Sequence, residues 1–492
     1  MILTLDIGTT ELKGALFDAS GRLTRIAQRP LTLLSDPERR LQHETDALGW
    51  VRGVREVCTD LGVSPETQLD AIVVSGNGPT LVPIGDDDQP LHPAILWMDR
   101  RCVEEARQIS ELAGAYIDPT FYLPKGLWFR DHRPEIYERT ARFMPCPEYI
   151  NLLLTGHAAT ILPAIGFEPY IWTEELVTKL DMDWSKFPDF VAPGDILGRT
   201  HSTASETFGI PEGIPVIAGG PDFIVSIIGT GTVAPGRAVD RAGTSEGFNL
   251  CSPKAVSDPR LLCVRHAIEG FHNVSGIVST SGKALHWFKE ITGQQGVSFD
   301  KVFADIQDVS AGASKLVFLP YLVGERSPIW DPNARGAFIG LTMHHGRREM
   351  TRAVVESVGF AIRDILAVME EDGLQIDEVR ITGGQARSPS WIQIKADITG
   401  KPFLVPVIKE AELAGDLCLA LYGLGRFDSL VEATEATVRI ERTFRPNRAN
   451  EDVYNDLFAI YRASYAGLKG PFNMIGQMDE QRPKGGRTDG CR

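Results

Sequence analysis

Apolar residues along this chain alternate between short strand-like runs and longer helical stripes. Leu3–Leu5 and Gly14–Phe17 read as two short strands on either side of a glycine turn, which predicts a β-hairpin. Residues 46–61 place their apolar side chains on one helical face, and residues 71–74 form an all-apolar run typical of a strand covered on both faces. This alternation predicts α/β layers.

The second half of the chain repeats the pattern. Residues 238–251 predict a strand, a turn and a strand, and residues 379–381 predict a strand that runs into a glycine turn and a helix. Glycines and a proline cluster at 229–236, where we place the domain junction. Almost nothing in 476–492 is apolar, so we expect a mobile polar tail from about residue 471.

Composition narrows the class of protein. The 492 residues, 43% of them apolar, suffice for two or three folded domains. Lys plus Arg total 50 against 65 for Asp plus Glu, and the net charge of −15 disfavours nucleic acid as the main partner. Seven cysteines without a CxxC pair favour reduced thiols in the cytoplasm. No basic leader and no membrane-length apolar run is present, so we expect a cytoplasmic protein without a membrane partner.

Three motifs resemble known signatures but lie in the wrong context. Residues 243–247 match GxSxG, yet strand-like sequence follows where a nucleophile elbow needs a helix. Residues 229–234 match a dinucleotide fingerprint, but Pro235 and Gly236 prevent the required helix. Residues 281–284 end like a Walker A motif, but Ala284 replaces the metal-binding hydroxyl. These motifs therefore do not support a serine hydrolase, a dinucleotide enzyme or a P-loop enzyme.

Three glycine turns carry candidate nucleotide chemistry. The first, residues 6–10 (DIGTT), offers backbone N–H groups and hydroxyls to a phosphate, while Asp6 can hold Mg²⁺ and Lys13 adds positive charge. The second, residues 241–247, has the same design in the other half of the chain, which suggests a duplicated domain that binds one nucleotide. The third, residues 382–388, opens a helix, and its glycines let the backbone approach an adenine or a ribose.

Together these turns resemble the phosphate 1, phosphate 2 and adenosine motifs of the actin-like ATPases, and more closely those of the FGGY carbohydrate kinases. The resemblance extends from Leu3 to about Leu468 and is strongest to xylulokinase (pentulose kinase) members. The segments that carry it are the second family signature at 336–341 and 349–356, the xylulokinase- and gluconokinase-like stretches 321–328 and 331–336, the sugar-site segment 93–101 and the catalytic segment 218–222.

The resemblance implies an α/β fold with two actin-like ATPase (ribonuclease H-like) domains and a cleft between them. Residues 1–235 would carry the sugar site, the first phosphate hairpin and the catalytic aspartate, 236–470 the second phosphate hairpin and the adenosine site, and 471–492 the polar tail. The implied reaction is ATP-dependent phosphorylation of a sugar hydroxyl, most closely of a ketopentose such as D-xylulose, with Mg-ATP in the cleft. Homodimers are common among similar proteins, so the resemblance also allows a homodimer.

The implied catalytic base is Asp222, although an aspartate after Gly-Gly-Pro is also typical of a helix cap. Asp6 and Asp222 would organise Mg²⁺. Trp97 could stack on an apolar sugar face, with core packing as the alternative role. The full set of implied contacts is Gly8, Thr9, Thr10, Lys13, Gly243, Thr244, Ser245, Gly383, Gly384 and Ser388 for ATP, and Asn77, Trp97, Asp99, Arg100, Asp222 and Phe223 for the sugar.

The sequence departs from the xylulokinase pattern mainly on the sugar side. Residues 76–80 read GNGPT where those members usually show GQMHG, and Phe223 makes the wall beside Asp222 more apolar. Two alternatives therefore stay open. One is gluconate or another sugar or polyol as substrate, with Arg100 or Arg101 as the partner of a carboxylate. The other is a non-catalytic, actin-like nucleotide-binding protein, against which the presence of Asp222 argues.

Overall fold

The computed structural model describes residues 1–34 and 41–480. Its strands are β1 Ile2–Ile7, β2 Glu11–Phe17, β3 Leu23–Pro30, β4 Leu33–Leu34, β5 Glu44–Thr45, β6 Ala71–Gly76, β7 Leu81–Ile84, β8 Ala94–Ile95, β9 Arg142–Pro145, β10 Thr160–Ile161, β11 Phe190–Val191, β12 Ile196–Arg199, β13 Pro215–Pro221, β14 Arg237–Ala242, β15 Glu246–Ser252, β16 Leu262–Arg265, β17 His272–Val278, β18 Val317–Leu319, β19 Ala337–Ile339, β20 Glu378–Thr382, β21 Phe403–Pro406 and β22 Ile440–Phe444.

The helices are α1 Ala47–Asp60, α2 Val103–Ala113, α3 Tyr122–His132, α4 Pro134–Arg139, α5 Cys146–Thr155, α6 Glu168–Ile171, α7 Glu174–Lys179, α8 Ser202–Phe208, α9 Asp222–Gly229, α10 Gly282–Ile291, α11 Phe299–Ile306, α12 Arg347–Glu371, α13 Pro389–Thr399, α14 Ala411–Gly423, α15 Leu430–Thr437 and α16 Glu451–Glu480. Within residues 1–34 and 41–480, no helix combines the length and the apolar composition needed to cross a membrane.

The described residues form two compact units. Unit 1 comprises Met1–Val233, Arg265–Phe271 and Glu410–Arg439, and unit 2 comprises Ala234–Val264, His272–Lys409 and the described residues from Ile440 onward. The chain first passes from unit 1 to unit 2 inside the glycine-rich stretch 229–236. It returns to unit 1 briefly at residues 265–271 and again at 410–439, where α14 packs on α9 and on the sheet of unit 1 and α15 packs on α14. The two contiguous ranges expected from the sequence do not include these returns.

The main sheet of unit 1 has the strand order β12-β13-β6-β1-β2-β3. β1 and β2 form the expected antiparallel hairpin, while β1, β6 and β13 run parallel to one another. The short apolar run at 71–74 is the centre of β6, between β1 and β13, which explains why it is apolar on both faces. The helix expected from 46 to 61 is α1, and Asp46 caps it by accepting a hydrogen bond from the backbone N–H of Leu48.

The main sheet of unit 2 has the order β16-β17-β15-β14-β20-β21-β22. Here too an antiparallel hairpin, β14 and β15, lies beside parallel strands, since β14 pairs in parallel with β20 and β20 with β21. The long apolar stripe of the sequence is α12, whose buried face joins the core of this unit. Each large side chain removed from water in these cores contributes about 1.5–3 kcal/mol. The sequence therefore predicted both hairpins and the strand that follows each glycine turn.

Two details differ from the sequence-based expectations or lie beyond the described residues. The polar tail expected from residue 471 begins inside α16, which continues through Pro471 to Glu480. The rest of that tail, 481–492, lies outside the described residues, as does Cys491. The six cysteines in the described part of the chain are all unpaired thiols, in agreement with the prediction of reduced cysteines.

Candidate active site

Three parallel strands of unit 1 bring the predicted catalytic groups to one edge of the sheet. Asp6 is the next-to-last residue of β1, Ser75 lies opposite it in β6, and Asp222 follows directly after β13. The carboxyl ends of parallel strands are the usual location of ligand sites in open α/β sheets. Asp6 and Asp222 are close enough that the charge on Asp222 raises the pKa of Asp6.

A β-bulge at Gly219 and Gly220 sets the direction of the chain at the end of β13. The pairing with β6 shifts register between Ala218 and Gly220, and Gly220 adopts a φ of +141°. A Cβ at Gly219 would overlap the backbone carbonyl of Val74 in β6. Only glycine fits this close approach, and a bulge re-aims the residues that follow it. The result is that α9 starts at Asp222, at the edge of the sheet.

A second close approach holds α9 in place. A Cβ at Gly415 in α14 would overlap the carbonyl oxygen of Val225, and a Cβ at Gly229 would overlap that of Ala411. The backbones of α9 and α14 therefore touch where they cross. This contact fixes the helix that carries Asp222 and explains why α14, far away in sequence, belongs to unit 1.

Asp222 lies at the start of α9, one residue after the N-cap position, which is Pro221. It is the first residue of α9, and its Oδ1 accepts a hydrogen bond of 2.6 Å from the backbone N–H of Phe223. It is only half-buried, so it also remains accessible to a ligand. Phe223 packs partly against the apolar cluster of α9 and α14, which gives that side chain a structural role in addition to the expected one beside the sugar.

Buried carboxyl groups gather around Asp6. Its own side chain is 5% exposed, and burial followed by the charges of Glu412 and Asp222 raises its pKa well above the ordinary range, while Lys13 opposes the shift. Asp416 in α14 is completely buried, and burial raises its pKa strongly as well. Ser75 connects the two groups, because its hydroxyl donates to Asp416 Oδ2 at 2.8 Å and lies 3.5 Å from Asp6 Oδ1.

This carboxyl cluster fits a hard cation. Oδ1 of Asp416 is buried without a hydrogen-bond partner, and the cluster has a single lysine, Lys13, to offset it. Among the residues described, no three His, Cys, Asp or Glu side chains form a ready metal cage. Mg²⁺ does not need one, since it is commonly held by one or two carboxylates together with waters and substrate phosphates. Asp6 and Asp222 supply oxygens of that kind.

The first phosphate hairpin closes tightly. The N–H of Gly8 donates to the carbonyl of Glu11 at 3.0 Å, and a Cβ at Gly8 would come within 2.7 Å of that oxygen. The hydroxyl of Thr9 accepts a hydrogen bond of 2.8 Å from the indole of Trp97, and Thr10 is exposed. Lys13 is half-buried across the hairpin from Asp6.

The predicted sugar residues of unit 1 separate into accessible and structural ones. Trp97 is 44% exposed and Arg100 is exposed. Asp99 is completely buried. One of its carboxylate oxygens accepts a hydrogen bond from the backbone N–H of His43 at 2.6 Å, and the other accepts from the backbone N–H and the guanidinium of Arg101, both at 2.9 Å. Asp99 therefore orients the segment around Trp97 and leaves no carboxylate oxygen free for a sugar.

Asn77 is also occupied. It is 1% exposed, and its amide donates to the carbonyls of Ile7 at 2.9 Å and Gly8 at 3.2 Å, while its oxygen accepts from the hydroxyl of Thr80. The side chain thus fastens the loop after β6 to the first phosphate hairpin. The structure thus gives Asn77 the role of holding that loop in position, with its polar atoms already in hydrogen bonds.

In unit 2, a buried lysine and two buried carboxyl groups of opposite charge lie beneath the hairpin. Gly243, Thr244 and Ser245 are exposed at the turn between β14 and β15. Beneath them, the completely buried ammonium of Lys395 in α13 lies 2.7 Å from Asp240 Oδ2 and also contacts Glu246. The two carboxyls raise the pKa of Lys395, so it stays charged. This triad joins the second phosphate hairpin to the helix that follows the adenosine turn.

The adenosine turn and the start of α10 also contact the second hairpin. Gly383 has a φ of +83°, and a Cβ there would come within 2.6 Å of the carbonyl of Ala242. The side-chain amide of Gln385 donates to Ser281 Oγ at 2.7 Å. Gly384 has open space where a Cβ would be, and Ser388 is the residue before α13. At the start of α10, the backbone N–H of Gly282 donates a hydrogen bond to the carbonyl oxygen of Gly243 at 3.1 Å. The Walker-like residues 281–284 therefore brace the hairpin.

Sequence reasoning missed the side chains that come from distant elements, namely Ser75, Glu412, Asp416 and Lys395. A signal existed for two of them. Lys395 is a charged residue on an otherwise apolar face of α13, Asp416 is followed by the apolar run Leu417–Leu421 in α14, and a buried charge requires a partner. Nothing in their local sequence names that partner.

The chain was compared with known proteins. The model of the FGGY family of carbohydrate kinases, N-terminal domain, matches residues 1–229, and that of the C-terminal domain matches residues 238–424. A xylulose kinase of Lactococcus lactis subsp. lactis (strain IL1403) is 30% identical over 486 residues, which cover 94% of this chain and 96% of that protein.

Solved structures show the same relationship. The ligand-bound xylulose kinase from Lactobacillus acidophilus has a TM-score of 0.84 at 26% identity, and the gluconate kinase from the same organism has 0.84 at 25%; each match covers 96% of this chain and 99% of the other. These matches confirm the expected fold class of two actin-like ATPase domains, and they favour an enzyme over the non-catalytic alternative. The chain belongs to the FGGY family of carbohydrate kinases and is a kinase that phosphorylates a small-molecule sugar, with ATP as the phosphate donor of its family.

Proposed function

We propose that this enzyme transfers the γ-phosphoryl group of Mg-ATP to a hydroxyl of a ketopentose such as D-xylulose, with Asp222 as the general base. The observation that carries the proposal is the convergence of Asp222 and Asp6 at the carboxyl ends of β1 and β13. The xylulose kinases among the similar proteins support the substrate class.

Phosphoryl transfer requires an aligned hydroxyl, neutralised phosphates and one proton acceptor. Asp222, half-buried at the start of α9, would accept the proton of the attacking sugar hydroxyl. Asp6 and Asp222 would hold Mg²⁺, which would supply positive charge against the phosphates. Gly8, Thr9 and Thr10, with Lys13, would hold phosphate oxygens through N–H groups, hydroxyls and charge.

Unit 2 would hold the rest of the nucleotide. We place phosphate oxygens on the exposed turn Gly243, Thr244 and Ser245, where backbone N–H groups and hydroxyls are available. The adenosine would lie against Gly383 and Gly384, next to Ser388, because Gly384 has no neighbouring atom within 4 Å of the position where a Cβ would be. Trp97, exposed on unit 1, would stack on an apolar face of the sugar.

Gluconate is the second candidate substrate. It is favoured by the gluconate kinase structure, which matches as well as the xylulose kinase structure does. Of the two arginines expected to bind a carboxylate, Arg101 is engaged by Asp99 and by Glu44 at 2.7 Å. Arg100 is exposed and would be the partner of the gluconate carboxylate.

A coupled assay of ADP release over pentuloses, hexuloses, aldonic acids and polyols tests both candidates. We expect the highest kcat/KM with D-xylulose, and a faster reaction with gluconate would overturn the ketopentose assignment. Asp222→Asn should lower kcat by about 10²- to 10⁴-fold while ATP binding is retained. Asp86→Asn, an exposed aspartate of the same unit, is the matched control and should leave kcat unchanged. Retained activity in Asp222→Asn would remove Asp222 from the base role.

A further inference from the structure

One buried phenol in unit 1 lies beside Asp222 without a protein partner. Six tyrosines are buried in the described part of the chain. Five of their hydroxyls form hydrogen bonds: those of Tyr137, Tyr149, Tyr321, Tyr454 and Tyr461. The sixth, Tyr122, is 8% exposed, and its hydroxyl forms no hydrogen bond within residues 1–34 and 41–480, although its oxygen is not among the fully enclosed polar atoms. The hydroxyl is therefore the accessible end of an otherwise buried side chain, and it is available to a ligand.

The position of the hydroxyl is fixed by two walls. A Cβ at Gly78 would lie 3.5 Å from the oxygen of Tyr122 and 3.0 Å from Cβ of Pro221, the residue that precedes Asp222. The phenol oxygen therefore lies over Gly78, close to the turn that carries the proposed base. The ring of Tyr122 is held from behind by Trp172, edge to face, with ring centroids 6.0 Å apart.

The helix that carries Tyr122 is anchored to the same loop. Tyr122 is the first residue of α3, and Lys125, three residues later on the same face, donates from its completely buried ammonium to the carbonyl of Pro79. Gly78 and Pro79 are thus covered by one face of α3. Because Gly78 has no side chain, nothing from that residue stands between the loop and the phenol.

The surroundings keep the phenol protonated. Burial, and then the nearby acidic groups of Glu148, Cys146 and Asp222, raise the pKa of Tyr122 well above its ordinary value. A protonated phenol donates a hydrogen bond and does not compete with Asp222 as a base. A group that donates here would pair with an oxygen of the substrate.

We propose that Tyr122 is a sugar-binding residue whose hydroxyl donates a hydrogen bond to a substrate oxygen next to the hydroxyl that Asp222 deprotonates. The proposal rests on the proposed sugar kinase function and adds to it a specificity determinant outside the segments that resemble the family's sugar site. It predicts that the enzyme discriminates against substrates that lack this one oxygen.

The test is Tyr122→Phe, which keeps the ring and removes only the oxygen. We expect kcat/KM for the sugar to fall by about 10- to 100-fold, mainly through KM, with KM for ATP unchanged. One deoxy-sugar analogue should have a kcat/KM lower than that of the parent sugar by a similar factor with the wild-type enzyme. With the variant, the same analogue and the parent sugar should have equal kcat/KM. Tyr116→Phe, a tyrosine of the same unit that is 75% exposed, is the control and should behave as wild type.

The outcomes are distinguishable. If the wild type phosphorylates a sugar and Tyr122→Phe matches its kcat/KM within twofold, the Tyr122 assignment is wrong and the kinase function stands. If no sugar stimulates ADP release by the wild type, the proposed function itself fails and this assignment with it. If Tyr122→Phe does not fold, the deoxy-sugar analogues decide with the wild-type enzyme: one of them should lose about 10- to 100-fold in kcat/KM, and equal kcat/KM for all of them would overturn the assignment.

Discussion

The two phosphate-type hairpins have the same backbone plan and opposite charge arrangements. In unit 1 the turn reads DIGTT from Asp6, and in unit 2 it reads RAGTS from Arg241, so a guanidinium stands where the first hairpin has a carboxylate. Each hairpin lies beside a parallel strand, β6 in unit 1 and β20 in unit 2. The backbone alone therefore does not determine what each turn can bind.

The buried groups under the hairpins explain the difference. In unit 2, Lys395 lies against both Asp240 and Glu246, and burial together with Asp240 raises the pKa of Glu246 to about 8. A proton on Glu246 then makes the triad neutral near pH 7. In unit 1, Asp6 has only the half-exposed Lys13 to offset it. Unit 2 thus has a buried counter-charge of its own beneath the hairpin, whereas in unit 1 the proposed Mg²⁺ would supply most of the compensating charge.

The largest effect is expected when the buried ammonium of Lys395 in unit 2 is removed. Lys395→Met would leave Asp240 and Glu246 buried against each other, and we expect a loss of about 3–5 kcal/mol in the free energy of unfolding. Urea unfolding, assigned to unit 2 by hydrogen exchange in β14 and α13, measures it.

Two variants control this experiment. Lys301→Met removes an exposed lysine of the same unit and should change the free energy by no more than about 0.5 kcal/mol. Adding Asp240→Asn and Glu246→Gln to Lys395→Met should recover much of the loss, because the unpaired charges are then gone. A loss below about 1 kcal/mol for Lys395→Met would mean that the ammonium of Lys395 is not what compensates the buried carboxyl groups of Asp240 and Glu246.

The corresponding change in unit 1 should act in the opposite direction on stability. Burial and the neighbouring carboxylates raise the pKa of Asp6, so its ionised form costs free energy in the protein without a cation. Asp6→Asn should therefore leave the melting temperature in Mg²⁺-free buffer at pH 8 unchanged or higher. Kinase activity should fall by about 10²- to 10³-fold, because the proposed Mg²⁺ would lose one of its two carboxylate ligands. A clear drop in melting temperature would contradict the comparison between the two hairpins.

Both hairpins could be predicted from the sequence because each is a local pattern of glycines and hydroxyls between two short strands. The charge arrangement could not. Asp416 reaches the sheet of unit 1 on α14, and Lys395 reaches β14 on α13, so both pairings depend on tertiary packing. The predicted roles of Asp99 and Asn77 changed for the same reason, since contacts with His43, Arg101 and the backbone of Ile7 occupy their polar atoms. Spacing along the chain does not reveal whether a carboxylate is already occupied.

A smaller effect should appear in the pH dependence of unit 1. Burial raises the pKa of Glu148 in α5 to about 7, above the value near 4.5 expected when the chain is unfolded. The folded state then holds a proton that the unfolded state releases, so the contribution of Glu148 to stability is full below about pH 4.5 and is lost as the pH rises through 7, by on the order of 3 kcal/mol. In Glu148→Gln this part of the pH dependence should disappear. Hydrogen exchange of α5 at pH 5 and pH 8 measures it, and an unchanged pH dependence would exclude Glu148 as its source.

The smallest expected effect concerns the hydrogen bond from Trp97 to Thr9 in the first hairpin, which has a length of 2.8 Å. Trp97→Phe keeps a ring for the sugar but releases the hydroxyl of Thr9, and we expect kcat/KM for ATP to fall about fivefold. Thr9→Val should fall by a similar factor, and the double variant should fall no further, because both changes break one interaction. In unit 2 the matching threonine is Thr244, so Thr244→Val should combine additively with Trp97→Phe. If Trp97→Phe lowers kcat/KM for ATP by the same factor in the Thr9→Val and Thr244→Val backgrounds, the indole does not position Thr9.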